Sequence, residues 1–172
     1  MADTLQQKLA RLGIAGDGDL VLHLPLRYED ETRRVRIADA VPGEPAQIDA
    51  DVVSCEIAYR PRRQLLVRVR DDSGALTLRF MNFYPSQQKQ LQPGTRLRLF
   101  GELRGGLLGD EMIHPRYRVI EGDEPLPQAL TPVYPTTAGL VQSALRRLVA
   151  RARERVALRW RHGRTRGRPG RR

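Results

Sequence analysis

The chain lacks most of the residues from which metal sites, disulfide scaffolds and membrane anchors are built. Its 172 residues include one cysteine, Cys55, so no internal disulfide can form, and its histidines His23, His114 and His162 lack zinc-ligand spacing. No apolar run is long enough to cross a bilayer, and the N-terminus has no apolar centre of a secretory signal. These absences argue against a metal site and a membrane association, and they predict a cytoplasmic protein.

Lysine is also scarce, because 28 of the 30 basic residues are arginine. The net charge of +10 is uneven: residues 146–172 hold twelve arginines and one acid, Glu154, whereas residues 1–145 are close to neutral. Arginine suits phosphate recognition, but a biased genome composition produces the same preference. The basic excess therefore belongs to the C-terminal part of the chain and not to its globular part.

From Ala46 onward the hydrophobic pattern has a period of two, which is typical of β-strands. We predict five strands, separated by turns and by a short helix or loop at residues 84–94; they lie at residues 46–60, 64–71, 75–83, 95–104 and 112–120. Five strands with such an insert favour an OB-fold, a partly open Greek-key barrel. The predicted fold class is mainly β with flanking helices.

The rest of the chain is predicted to surround this barrel. The expected domains are a helical and irregular N-terminal segment (1–45), the barrel (46–122), a proline-rich linker (123–138), a helix (139–160) and a disordered arginine-rich tail (161–172). Two short helices are expected within residues 4–24. The linker and tail assignments follow from composition alone.

The third predicted strand places Leu76, Leu78 and Phe80 on one face and Arg79 on the other, together with Thr77, Met81 and Phe83. In residues 95–104, Leu97 and Leu99 face one way, and Arg96, Arg98 and Phe100 face the other. A face of arginines mixed with aromatic residues is typical of a surface for phosphates and unstacked bases. A solvated sheet face has the same pattern, so the residues alone leave both interpretations open.

OB-folds commonly bind oligonucleotides on strands two and three, flanked by the loops between strands 1–2 and 4–5. This placement selects the candidate DNA-binding residues Arg60, Arg62, Arg63, Arg68, Arg70, Arg79, Met81, Phe83, Tyr84 and Arg104. Phe83 and Tyr84 are predicted to stack on bases, although capping of the barrel explains them equally well from the sequence. His114 and its neighbours on the fifth strand are interpreted as structural.

Four blocks of the sequence resemble the N-terminal region of bacterial RecG, a DNA helicase that acts on stalled forks and branched junctions. They are HLPLRYEDET (23–32), DDSGALTLRFMNF (71–83), EMIHPRYRV (111–119) and LTPVYPTTAGL (130–140). The resemblance runs from about Leu9 to about Ala150. It implies a wedge domain that splits the arms of a fork or Holliday junction while a motor elsewhere consumes ATP.

The sequence departs from this family in two ways. First, no GxxxxGK[ST] phosphate loop is present. The chain is therefore expected not to hydrolyse ATP, not to bind a cofactor and not to be an enzyme by itself. ATP and Mg²⁺ would belong to the missing motor domains. Relatives also often have two adjacent aromatic residues where this chain has Phe80-Met81-Asn82, and a tyrosine near the position of Pro85. Phe83 and Tyr84 are the expected substitutes.

The resemblance therefore implies a DNA-binding wedge module for recombination and repair. Its expected partners are branched DNA and a helicase motor supplied elsewhere, and it is expected to be a monomer in the bacterial cytoplasm, associated with the nucleoid. The end of the chain is what a truncation, a frameshift or an incomplete gene model would give. Two alternatives stay open: a protein-interaction OB module with a nonspecific basic tail, and a nonfunctional truncated product.

Overall fold

The computed structural model describes residues 3–106 and 109–163, which divide into two units. One unit comprises Asp30–Leu130, and the other combines the residues up to Glu29 with those from Thr131 onward. Each unit has its own cluster of buried apolar side chains.

The elements in chain order are α1 (Leu5–Ala10), α2 (Asp17–Leu22), β1 (Arg27–Glu29), a 3₁₀ turn (Ile37–Asp39), β2 (Pro45–Ala58), β3 (Gln64–Arg70), β4 (Ala75–Phe80), α3 (Pro85–Gln90), β5 (Arg96–Gly106), β6 (Gly109–Ile113), β7 (Arg116–Val119), β8 (Thr131–Val133) and α4 (Gln142–Gly163).

Strands β2 to β7 form one closed sheet in the unit Asp30–Leu130. Neighbouring strands follow the order β2-β3-β4-β6-β5, and β5 pairs again with β2, which closes the barrel. The pairs are antiparallel except for β4 and β6, which run parallel. This arrangement is the Greek-key barrel that the sequence predicts.

Alternating side chains fill the barrel, as the period of two requires. Leu65, Val67 and Val69 of β3 are fully buried, and Leu76, Leu78 and Phe80 of β4 face the same core. Short helix α3 occupies the predicted insert between β4 and β5, where Pro85 is its first residue. The strand pattern therefore predicted the inner face of β3 and β4 correctly.

The fifth predicted strand is two strands in the structure. His114 has a φ of +49°, and Pro115, which has no N–H to donate, follows it, so the ladder breaks between β6 and β7. Strand β5 bends at the same level: its first half pairs with β7 and its second half with β6. A Cβ at Gly101 would lie 3.2 Å from Cβ of Pro115, so a side chain there would crowd Pro115 where the strands approach.

The other unit is built around α4. Leu145, Val149 and Ala152 of this helix pack with Leu20 of α2 and with Tyr134. Strand β1 pairs antiparallel with β8, which lies within the segment predicted as a proline-rich linker. Helix α4 continues to Gly163, past the predicted end at residue 160, and residues 164–172 of the predicted tail lie outside the described residues.

Helix α1 begins with a capping box formed by Thr4 and Gln7. The Thr4 hydroxyl oxygen accepts a hydrogen bond from the backbone N–H of Gln7 (3.2 Å), and the Gln7 side-chain oxygen accepts one from the N–H of Thr4 (2.8 Å). Over the residues described, none of the helices combines the length and the apolar content that crossing a bilayer requires.

Candidate nucleic-acid interface

Three connections of the barrel meet around one open groove. The β2–β3 turn contributes Arg62 and Arg63, the segment between β4 and α3 contributes residues 81–84, and His114 joins them from the β6–β7 break. The groove has a volume of about 840 Å³, and none of the described residues that line it is acidic. Positive charge and flat or polarizable side chains therefore share one concave surface.

Tyr84 and Met81 are the exposed apolar side chains of this groove. Tyr84 is 75% exposed and Met81 is 47% exposed. The backbone N–H of Met81 donates a hydrogen bond to Nε2 of His114 (3.3 Å), which holds the end of β4 beside the β6–β7 break. An exposed phenol ring beside a thioether offers a platform on which a base can stack.

Phe83 does not share this exposure, and the structure corrects the strand face that the sequence predicted for it. Strand β4 ends at Phe80, so the alternation does not continue to residue 83, and the Phe83 side chain turns into the barrel core with 9% of its surface exposed. The guanidinium carbon of Arg63 lies 4.3 Å from the centre of the ring. Phe83 therefore holds Arg63 at the groove through a cation–π contact.

Arg68, Arg70 and Arg79 lie on the outer face of β3 and β4, as predicted, but their environments differ. Arg68 and Arg70 are exposed. Arg79 instead donates to Oε2 of Glu111 from Nε (3.1 Å) and Nη2 (2.6 Å), and its Nη1 donates to Gln64 (2.8 Å). These bonds occupy the guanidinium, so Arg79 organises the sheet face, and its contact with DNA stays a prediction.

Strand β5 carries arginines with the same alternation but no comparable surface. Arg98 is buried, and its Nε lies 2.7 Å from Oδ1 of Asp49. Backbone oxygens of Glu124 and Pro125 accept hydrogen bonds from the same guanidinium. The expected outward face of β5 is thus covered at Arg98 by a later segment of the chain, so this arginine cannot contact a nucleic acid.

The remaining predicted residues are exposed at the edges of these surfaces. Arg60 lies in the β2–β3 turn, and Arg104 on β5 forms an ion pair with Glu102 (3.0 Å) in which both side chains are about half exposed. Such surface pairs contribute little to stability, about 0–1 kcal/mol. Arg104 therefore remains available to a phosphate at small cost.

Sequence reasoning missed two residues of the groove. His114, which the sequence analysis interprets as structural, and Asn82 both line it. The position of His114 depends on the strand break between β6 and β7, which the hydrophobic pattern does not show.

No group of three or more histidine, cysteine, aspartate or glutamate side chains within residues 3–106 and 109–163 is arranged to hold a metal ion.

Comparison with known proteins identifies the family of this fold and groove. The family model of the RecG wedge domain matches residues 2–156. The ATP-dependent DNA helicase RecG of Escherichia coli K12 is 44% identical over 151 residues, and that of Pasteurella multocida is 41% identical over 150 residues. Both alignments cover 86% of this chain and 22% of the relative. The chain thus spans about a fifth of the length of these curated relatives.

A solved structure of RecG bound to a three-way DNA junction has the same fold over 84% of this chain and 20% of its own length, with a TM-score of 0.70 and 23% identity. The matched region in each relative is the N-terminal wedge, and the helicase motor lies in the remainder. The order of the four sequence blocks, the closed barrel and the family match agree, and the chain belongs to the RecG wedge domain family.

Proposed function

We propose that this chain binds branched DNA through the groove at the β2–β3 turn. The observation that carries the proposal is the placement of exposed Tyr84 and Met81 beside Arg62 and Arg63. A junction differs from plain duplex because it exposes unstacked base faces where its arms diverge, and Tyr84 and Met81 are the groove side chains available to cover them. The two arginines would neutralise the phosphates next to the branch.

The other candidate residues take supporting roles in this proposal. Arg68 and Arg70, together with Arg60 and Arg104, would contact phosphates of the flanking arms, where they fix orientation without reading sequence. Phe83 holds Arg63 in place. Arg79 keeps β4 and β6 together through Glu111, so it acts on the shape of the surface.

Family membership supports a wider role. The chain would serve as the wedge of a RecG-type ATP-dependent helicase in recombination and repair at forks and Holliday junctions, as a monomer in the bacterial cytoplasm near the nucleoid. A motor outside this chain would then supply the phosphate loop, ATP and Mg²⁺, because the sequence contains no GxxxxGK[ST] motif.

The test compares a three-way junction with a linear duplex of equal length, using fluorescence anisotropy at one fixed salt concentration. The Met81→Ala/Tyr84→Ala double variant should weaken junction binding by roughly 1–3 kcal/mol for each base that loses its stacking partner. Duplex binding should be almost unchanged, because stacked base pairs offer no open face.

Tyr59→Ala is the matched control, since Tyr59 is as exposed as Tyr84 but is not among the residues that line the groove. It should leave both affinities unchanged. Equal weakening of junction and duplex by the double variant would disprove the stacking role. A wild-type chain with no preference for the junction would favour the protein-interaction module instead.

A further inference from the structure

Helix α4 has one buried stripe, and its remaining surface is dominated by arginine. Leu145, Val149 and Ala152 form the buried stripe. The exposed arginines of the helix are Arg147, Arg151, Arg153, Arg155, Arg159 and Arg161. Glu154 is the single acid in the sequence of this helix, so the net charge of the helix is strongly positive.

Ion pairing separates these arginines from most others in the protein. Outside two groups, every arginine in residues 3–106 and 109–163 pairs with a carboxylate. The first group without an ion pair is Arg60, Arg62, Arg63, Arg68 and Arg70. The second is the set on α4, namely Arg146, Arg147, Arg151, Arg153, Arg159 and Arg161. Within the part of the chain that the structure describes, Arg155 is the arginine of α4 that has such a partner, Asp17, at 2.7 Å from its Nε.

Unpaired arginines at this density have a physical cost. Arg147 and Arg151 are four residues apart, so their like charges are neighbours on the helix surface and oppose its formation. Arg161 lies on the same side of the helix, opposite the buried stripe, whereas Arg153 points to a different side. Glu154, seven residues from both Arg147 and Arg161, lies on the side of these three arginines as well. An anion along this face would remove the repulsion, and the guanidinium fork fits phosphate oxygens.

We propose that the exposed face of α4 that carries Arg147, Arg151 and Arg161 is a second DNA-binding surface that holds the backbone of duplex DNA. The helix has 22 residues, which makes it roughly 33 Å long, about one turn of B-form DNA. The proposal rests on the proposed function only in taking DNA as the ligand. It concerns a different surface and a different substrate, the paired arm and not the branch point.

The same face offers little to a partner helix. The large exposed apolar residues of the helix are Leu158 and Trp160, which are two residues apart and therefore point to different sides of the helix. Among the side chains of α4 that the structure describes, no continuous apolar stripe is available outside the buried one. An acidic protein segment is the other anion that fits the charge, and the experiment distinguishes it.

The test uses the whole chain with the substitutions Arg147→Gln, Arg151→Gln and Arg161→Gln together. Binding to a 20-base-pair linear duplex is measured over a range of salt concentrations. If each arginine contacts one phosphate, the slope of log K against log salt should become shallower by roughly 0.9 for each contact, or about 2.7 in total. Residues 164–172 are present in every variant, so their contribution cancels.

The matched control removes the same charge from paired arginines. Arg11→Gln, Arg33→Gln and Arg36→Gln affect exposed side chains that pair with Asp3, Asp30 and Asp39. An equal loss of slope in this control would mean that net charge alone matters, and it would overturn the proposal. Circular dichroism checks the α4 variant for helix content, and an Arg→Lys version of the same triple should retain most of the slope.

Two further outcomes are decisive. If the glutamine triple leaves the duplex slope unchanged but abolishes binding of a poly-glutamate peptide, the surface recognises an acidic protein and the DNA assignment is wrong. The triple should weaken junction and duplex alike and so leave the junction preference intact, whereas the groove variants change that preference. Failure of this inference can therefore be told apart from failure of the proposed function.

Discussion

Two arginine-bearing strands of the barrel have the same sequence pattern, but the arginine is buried on one and exposed on the other. On β5, Arg98 is 4% exposed and bonds to Asp49, whereas on β3, Arg68 is exposed and makes no ion pair within the described residues. The difference lies in the neighbouring strand. Asp49 is opposite Arg98 in the ladder, while Ser54 and Thr77 flank Arg68. At these two positions the cross-strand neighbour decides the outcome, because a carboxylate opposite Arg98 pairs with it in a buried site, whereas uncharged neighbours leave Arg68 exposed.

The first prediction concerns the buried ion pair of Arg98 and Asp49 and has the largest expected effect. Arg98→Leu removes one partner of a buried ion pair and leaves Asp49 charged in a nearly dry site. Loss of one partner of such a pair typically costs about 3–5 kcal/mol in the free energy of unfolding. Arg34, whose Nη1 is 3.4 Å from Asp49, will offset part of this loss. Urea denaturation followed by circular dichroism measures it.

Arg68→Leu is the control for that prediction. It changes the same residue type on an exposed strand face, so the free energy of unfolding should shift by no more than about 0.5 kcal/mol. If Arg68→Leu destabilises the protein as much as Arg98→Leu, the two regions do not differ in the way that the ladder implies.

The second prediction compares the adjacent aromatic residues Phe83 and Tyr84, of which the first is buried and the second is exposed in the groove. Phe83→Ala should lower the free energy of unfolding by about 3 kcal/mol, near the lower end for buried phenylalanine, because the ring lies at the margin of the core. Tyr84→Ala should change it by no more than about 0.5 kcal/mol, since 75% of the side chain is exposed. Similar losses for both variants in thermal or urea unfolding would contradict this division between core support and binding.

The sequence predicted structure correctly where the pattern within a single strand is sufficient. The inner residues of β3 and β4 and the closed barrel all follow from a period of two with apolar residues on one face. Arg62, Arg63 and Tyr84 share one groove, as the placement of the 1–2 loop beside the end of the third strand predicts.

Sequence reasoning failed where distant segments meet. Glu111 reaches Arg79 because β6 runs parallel to β4, and this pairing has no local signal. Residues 124 and 125 cover Arg98 from outside the predicted barrel. Phe83 was misplaced because the strand period was extended past Phe80, although a chain that leaves its ladder is free to turn a side chain back to the core.

The last prediction concerns pH and has the smallest expected effect. Burial by itself would raise the pKa of Asp49, but hydrogen bonds and charge from Arg98, with a further contribution from Arg34, outweigh burial and hold this pKa below its ordinary value. The unfolded chain therefore binds the proton more readily than the folded one. The resulting stability is fully present above the unfolded pKa of about 4 and is lost as the pH falls through the folded pKa.

Asp49→Asn removes this contribution and tests its sign. The free energy of unfolding of the wild type should fall more steeply than that of the variant as the pH is lowered from about 5 to 3. At neutral pH the variant should be the less stable of the two, because Arg98 then lacks its charged partner. Asp72→Asn, at an exposed position, should leave the steepness nearly unchanged. If the free energies of unfolding of wild type and Asp49→Asn change with pH in parallel, the interaction of Arg98 with residue 49 does not depend on ionisation of Asp49. The two arginine regions would then differ in burial alone.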